Sequence, residues 1–349
     1  MSKVDSKSNN LLSLECTSVI KVMALLLMFC HHFFNTSWIL DDNMFVSIFH
    51  IGSVTFEGVI ADSGGCCVAI FAFLSGYGLY FSFKKNNRWK KTINRCAILY
   101  IDFLLVIVCM FVPLFIMFGN SLTIKGWILN LIGLDSSLNQ FDWYVPFYVV
   151  AVFVMTIYSK YLDKGKFADI ISCIVIITLP IISMICPIKF IKSCLIYIPS
   201  MLFAYLIAKY KIFDYVYKSL NRFLKHMWQK RCIGIIIMLF VILFRYFVCT
   251  ITSWKIYNQF DWLFAFVFIF GAICTFQSIN IPYILTFGKM TTNMWYLHAI
   301  FFGAYIRLQY IAYWPKISVF IVLWSFVLLL PFAWIFMKLQ TWVKKQIFK

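Results

Sequence analysis

Lys21, His31 and His32 lie in one apolar run, Thr17 to Ile39, and are the residues of this chain best placed to do chemistry. An ionisable side chain near the centre of a bilayer costs about 2.5–3.5 kcal/mol on insertion scales, so each needs a reason to be there. Eleven residues of helix separate Lys21 from His32. At about 100° and 1.5 Å per residue, that spacing puts them within about 20° around the axis and some 16 Å apart along it. They share one face at two depths, and His31, about 80° round from Lys21, looks to one side. Snorkelling to the headgroups accounts for Lys21 as well as function does. The histidines are harder to explain away, because a neutral imidazole is the usual general base for an attacking hydroxyl and also a proton relay. Catalysis and proton-coupled transport both stand on this chemistry.

Other polar groups in apolar runs are fewer. Ser75, Gly76 and Gly78 sit together and predict close helix packing or a kink, since small residues let backbones approach in lipid. Trp143, Tyr144 and Pro146 open another run, with proline where its missing N–H does no harm. Trp295 and His298, three residues apart, share a helix face. Arg245 and Arg307 read as deep cations needing partners or a wet cavity. The twelve cysteines show no metal spacing, so no metal site is expected.

The elements that must hold these groups are transmembrane helices. Hydrophobic residues make up 63% of the 349, and mean hydropathy is +0.87, far from soluble-domain usage. The charged residues cluster between apolar stretches of helical crossing length, not the short alternating strands of a barrel. Ten spans are predicted: Thr17 to Ile39, Cys66 to Phe83, Cys96 to Phe118, Trp143 to Tyr158, Phe167 to Cys186, Cys194 to Ala208, Cys232 to Thr252, Trp262 to Gln277, Thr291 to Ile311 and Ile317 to Met337. The first is read as helix one, not as a cleaved signal peptide. With the N-terminus inside, 23 of the 28 lysines and arginines outside spans fall on the inner side. The formal charge of +18 therefore reports topology and anionic lipid, not nucleic acid. The fold class is an all-α integral membrane protein of about ten transmembrane helices, one polytopic domain over residues 1–349, with both termini cytoplasmic. Leu40 to Gly65 forms an acidic outer loop suited to a re-entrant or interfacial segment. Phe213, Val216, Leu220 and Leu224 predict an amphipathic helix on the inner side.

Taken together, these residues resemble the acyltransferase-3 family of integral membrane acyltransferases. That family's first helix carries a basic residue, ten intervening residues and a histidine, with alanine three and an aliphatic residue seven after the basic one; here these are Lys21, His32, Ala24 and Met28. The segment Ile70-Phe-Ala-Phe-Leu-Ser75-Gly76-Tyr77 is similar to its Phe-Phe-x-x-Ser-Gly-Phe/Tyr signature, and the basic segment ending in Arg95 and the tract Trp295 to His298 also resemble family features. Lysine stands at 21 where the family most often has arginine, and the proline that often follows the basic segment is absent. The paired histidines look more like members associated with surface polysaccharides.

The resemblance implies a surface-polysaccharide type O-acyltransferase of a bacterial plasma membrane. It would move an acyl group, commonly acetyl, from acyl-coenzyme A as co-substrate, with no bound cofactor, to a glycan or lipid-linked sugar. It implies His32, Lys21 and His31 as the catalytic group. Lys84, Lys85, Arg88, Lys91, Arg95, Ser75 and Tyr77 would bind the donor, and Trp143, Tyr144, Trp295 and His298 the acceptor. Its partners would be the donor, the acceptor and the bilayer, with a homodimer left open. A proton-coupled transporter or flippase is the alternative, and an envelope glycan polymerase fits less well because the outer loops hold no arginine.

Overall fold

The computed structural model describes residues 11–348 apart from 36, 38, 53, 85–86, 252–255 and 278. In chain order the helices are α1 (Leu14–Phe34), α2 (Phe56–Gly64), α3 (Cys67–Lys84), α4 (Arg88–Val106), α5 (Val112–Met117), α6 (Ile124–Leu131), α7 (Tyr144–Leu162), α8 (Lys166–Ser183), α9 (Lys189–Lys209), α10 (Ile212–Phe223), α11 (Met227–Ile251), α12 (Asp261–Phe276), α13 (Ile284–Leu297), α14 (Gln309–Ala312) and α15 (Ser318–Ile347). A two-residue hairpin, β1 (His50–Ile51) with β2 (Val54–Thr55), precedes α2. Among the described residues, 9 helical stretches are long and apolar enough to cross a membrane. One joins α2 to α3, and another runs from α4 through a π turn into α5.

The ninth predicted span, Thr291 to Ile311, is not one helix. α13 begins at Ile284 and stops at Leu297, and the chain continues as 3-10 turns at His298–Phe301 and Gly303–Leu308. Phe302 between them is extended, and Gly303 sits at φ 59°, a left-handed backbone that glycine adopts at little cost. Hydropathy cannot sense that break, because the residues around it stay apolar. Arg307, expected deep in this span, is exposed; Arg245 is fully buried.

Local chemistry sets the directions of the helices. Ser13 caps α1, its hydroxyl accepting from the Cys16 amide at 3.1 Å, with Glu15 in the first turn facing the positive end of the dipole. A Cβ at Gly288 would fall 2.5 Å from Ser18 Oγ, so glycine lets α13 run close beside α1 in the same direction. α3 runs back, since α2 just before it abuts Leu27 and His31 at the far end of α1. α15 starts at that far end, where the Ser318 hydroxyl donates to Glu57 at 2.7 Å. Glu57 also accepts from the Ser47 hydroxyl at 2.6 Å and the Ile48 amide at 2.9 Å, tying the acidic loop down. α1 and α13 therefore start at one end of the bundle, the amino end, and finish at the other, the histidine end.

The glycine motif in α3 divides its labour. At Gly76 a Cβ would lie 2.1 Å from the Met201 carbonyl oxygen, which is the predicted close packing and seats α3 on α9; Gly78 meets nothing within 4 Å. The amphipathic stretch is α10. Its Phe213 stacks on Phe266 at 5.4 Å, Tyr217 is buried, and Lys218 and Arg222 point outward.

Candidate active site

His31 and His32 close the last turn of α1. His32 Nδ1 lies 3.0 Å from His298 Nε2, and His298 Nδ1 is hydrogen-bonded to the Trp295 carbonyl. A carbonyl only accepts, so the proton of neutral His298 is assigned to Nδ1 and its Nε2 offers a lone pair. His32 then donates from Nδ1, which leaves the lone pair of the neutral ring on its Nε2. Phe141 packs against both rings, at 4.1 Å from His32 and 4.6 Å from His298, and sets their tilt. His31 donates from Nδ1 to the Ala61 carbonyl of α2 at 2.6 Å.

Both histidines of α1 line a cavity of about 1380 Å³. Its wall includes Leu14, Thr17 and Lys21 from the amino end of α1, and Lys189 and Lys192 from the start of α9. Lys209, at the far end of α9, binds the Leu162 carbonyl at 2.9 Å and Asp169 at 2.7 Å, beside the Arg88–Asp163 pair at the amino end. α9 thus starts at the histidine end, and the cavity is lined from both ends of the bundle. Lys21 and His32 share it, as expected from their spacing.

The amino half of this wall is electropositive. Lys21 has no ion-pair partner among the described residues, and Arg95 reaches the Tyr148 hydroxyl at 3.4 Å. Asp102, on the same wall, is held by Lys344 at 2.8 and 3.0 Å. Ser75 also lines the cavity. The other expected donor contacts among the described residues do not. Lys84 sits 4.5 Å over the Tyr80 ring, Arg88 is paired with Asp163 and Ser159, and Lys91 donates to the Ser82 carbonyl at 2.7 Å. Tyr77 packs against Phe81 and Phe213, and Lys85 lies outside the described residues.

On the acceptor side, Trp143, Tyr144 and Trp295 line the cavity, with Tyr144 edge-on to Trp295 at 5.2 Å. His298 does not join them. It is fully buried behind His32, held there by its contacts with His32 and the Trp295 carbonyl. Comparison with protein-family models, with curated proteins and with solved structures finds no match in any of the three.

Several site residues escape sequence reasoning. Phe141 is one apolar residue among many. Asn293 and Gln340 bond each other at 2.7 and 2.9 Å and join α13 to α15, and Gln340 continues to the Asp102 carbonyl at 3.2 Å. Arg245 is gripped by Asp261 at 2.8 Å, Asn258 at 3.2 Å and the Asp62 carbonyl. The signal for that pair is the acid that opens the span following Arg245. Asp142, at the entry to α7, is 1% exposed with no partner for either carboxylate oxygen among the described residues. Burial pushes its carboxyl well above the ordinary range near 3.8.

Proposed function

We propose that this chain is a membrane-embedded O-acyltransferase of the acyltransferase-3 type. It transfers an acyl group, commonly acetyl, from acyl-coenzyme A to a hydroxyl of a cell-envelope glycan or lipid-linked sugar. The observation that carries this reading is the 3.0 Å contact of buried His298 with His32, which lines a cavity also lined by Lys21. Such a pair is a general base with its tautomer already set.

In this reading both termini are cytoplasmic, the protein sits in the plasma membrane, and the donor enters from the amino end. Lys21 and Arg95 receive its phosphates, and Ser75 lies along the thioester arm. His32 Nε2 takes the proton of the acceptor hydroxyl as its oxygen attacks the thioester carbonyl. The carbon–sulfur bond breaks, the proton passes from His32 to the departing thiolate, and an ester and free coenzyme A remain. His298 steadies the intermediate imidazolium by accepting from Nδ1. Trp143, Tyr144 and Trp295 pack on the apolar face of the sugar.

Purified protein incubated with labelled acetyl-coenzyme A, with and without envelope glycans, tests the reading. Glycan-dependent transfer of label supports it, and no turnover of the donor under any acceptor overturns it. A cavity lined from both ends also suits a proton-coupled transporter or flippase, and solute movement driven by a proton gradient without donor turnover would select that reading.

A further inference from the structure

α9 presents a polar stripe to the cavity that the mechanism leaves unused. Lys189, Lys192, Ser193 and Tyr197 all line the cavity, and their spacing of three, four and eight residues from Lys189 puts them on one helix face. Two of these are lysines where lysine is doubly disfavoured. They lie in the first turn of a helix, against the positive end of its dipole. On the proposed topology they also face the outer side, where basic residues are scarce. Tyr197, deeper along the same stripe by about 12 Å, is 9% exposed, and its hydroxyl has no hydrogen-bond partner among the described residues. Trp143 stacks over its ring at 6.1 Å.

The neighbouring charges do not cancel the stripe. Arg245 on the same wall is balanced by Asp261, Asp102 toward the amino end is paired with Lys344, and among the described residues the carboxylate of Asp62 is the other negative group on the wall. Lys189 and Lys192 outweigh it. We propose that this face of α9 recognises an anionic group on the acceptor, a carboxylate or a phosphate, with the lysines meeting the charge and Tyr197 donating to the sugar. The inference rests on the acyltransferase reading for the word acceptor, and on α9 alone for anion binding.

The test measures binding of methyl glucoside, methyl glucuronide and glucose 1-phosphate to the detergent-purified full chain by saturation-transfer NMR. At least one anionic probe should bind roughly tenfold tighter than the neutral one, with that advantage shrinking as salt rises. Whichever anion is preferred identifies carboxylate or phosphate as the group. Lys189→Gln with Lys192→Gln should erase the advantage, Lys189→Arg with Lys192→Arg should keep it, and Tyr197→Phe should weaken all three probes together. Equal binding of the three probes, or an advantage that survives the double glutamine variant, overturns the proposal. Anion preference without acyl transfer leaves the α9 site standing and removes the acyltransferase reading; transfer without anion preference does the reverse.

Discussion

His298 Nε2 stands 3.0 Å from His32 Nδ1, with the Trp295 carbonyl fixing the opposite nitrogen of His298. If this pair works as a base and its support, the two rings should differ in how they tolerate replacement. His32→Ala should abolish acyl transfer while the protein still inserts and purifies normally. His298→Ala should lower kcat by roughly ten- to a hundredfold, below the loss expected for removing the base itself, and His298→Gln should recover part of that because its amide oxygen can accept from His32. Donor turnover by each purified variant checks this, and full activity in His32→Ala would remove the central claim.

Lys21 shares the cavity with Arg95 and has no carboxylate partner among the described residues. The proposed role as a phosphate contact predicts that Lys21→Arg retains donor affinity and Lys21→Ala raises the KM for acetyl-coenzyme A by roughly tenfold or more. Equal retention of KM by both variants would mean that the lysine only anchors helix one at the headgroups.

The Arg245–Asp261 pair is 0% exposed on both sides. Removing one partner strands the other charge, so Arg245→Met or Asp261→Leu alone should cost about 3–5 kcal/mol, and the double variant should be far less damaged. Thermal unfolding followed by tryptophan fluorescence measures the difference. A double variant as unstable as the worse single one would contradict the ion-pair account.

Asp142 gives the pH prediction. A carboxyl whose folded pKa is raised holds its proton more tightly in the folded state, so stability falls as pH rises from the unfolded pKa toward the folded one. Burial is the cause here. Asp142→Asn should therefore unfold at a higher temperature than the parent near neutral pH, and the gain should vanish below about pH 3.8, the ordinary value. A variant that is less stable at neutral pH would show that the carboxylate is ionised and held in place.

Much of this arrangement is legible in the sequence because it depends on spacing along single helices. Lys21 and His32 share the cavity wall that a 3.6-residue period demands, and Gly76 packs where a small residue in lipid must. The count of lysines and arginines on each side speaks only to orientation, which stays part of the proposed reading. What the sequence hides depends on contacts between distant segments or on backbone shape. The basic segment from Lys84 to Arg95 looks uniform in composition, yet Arg88 is consumed by Asp163, 75 residues away, and among its described basic residues Arg95 alone turns to the cavity. His298 looks like a neighbour of Trp295 in the sequence, yet Trp295 lines the cavity while His298 is buried behind His32.

That break also changes what the backbone has to offer. An unbroken helix commits each carbonyl to an amide four residues on, and its peptide groups stay chemically silent. Stopping α13 at Leu297 puts the Trp295 carbonyl in a final turn, and it is this oxygen that His298 engages. The instruction for which nitrogen bears a proton is thereby written in the main chain, where no side-chain replacement at position 295 can delete it. Under the proposed function, the indole at 295 can change to suit a different acceptor while the tautomer of the His32–His298 pair stays as it is.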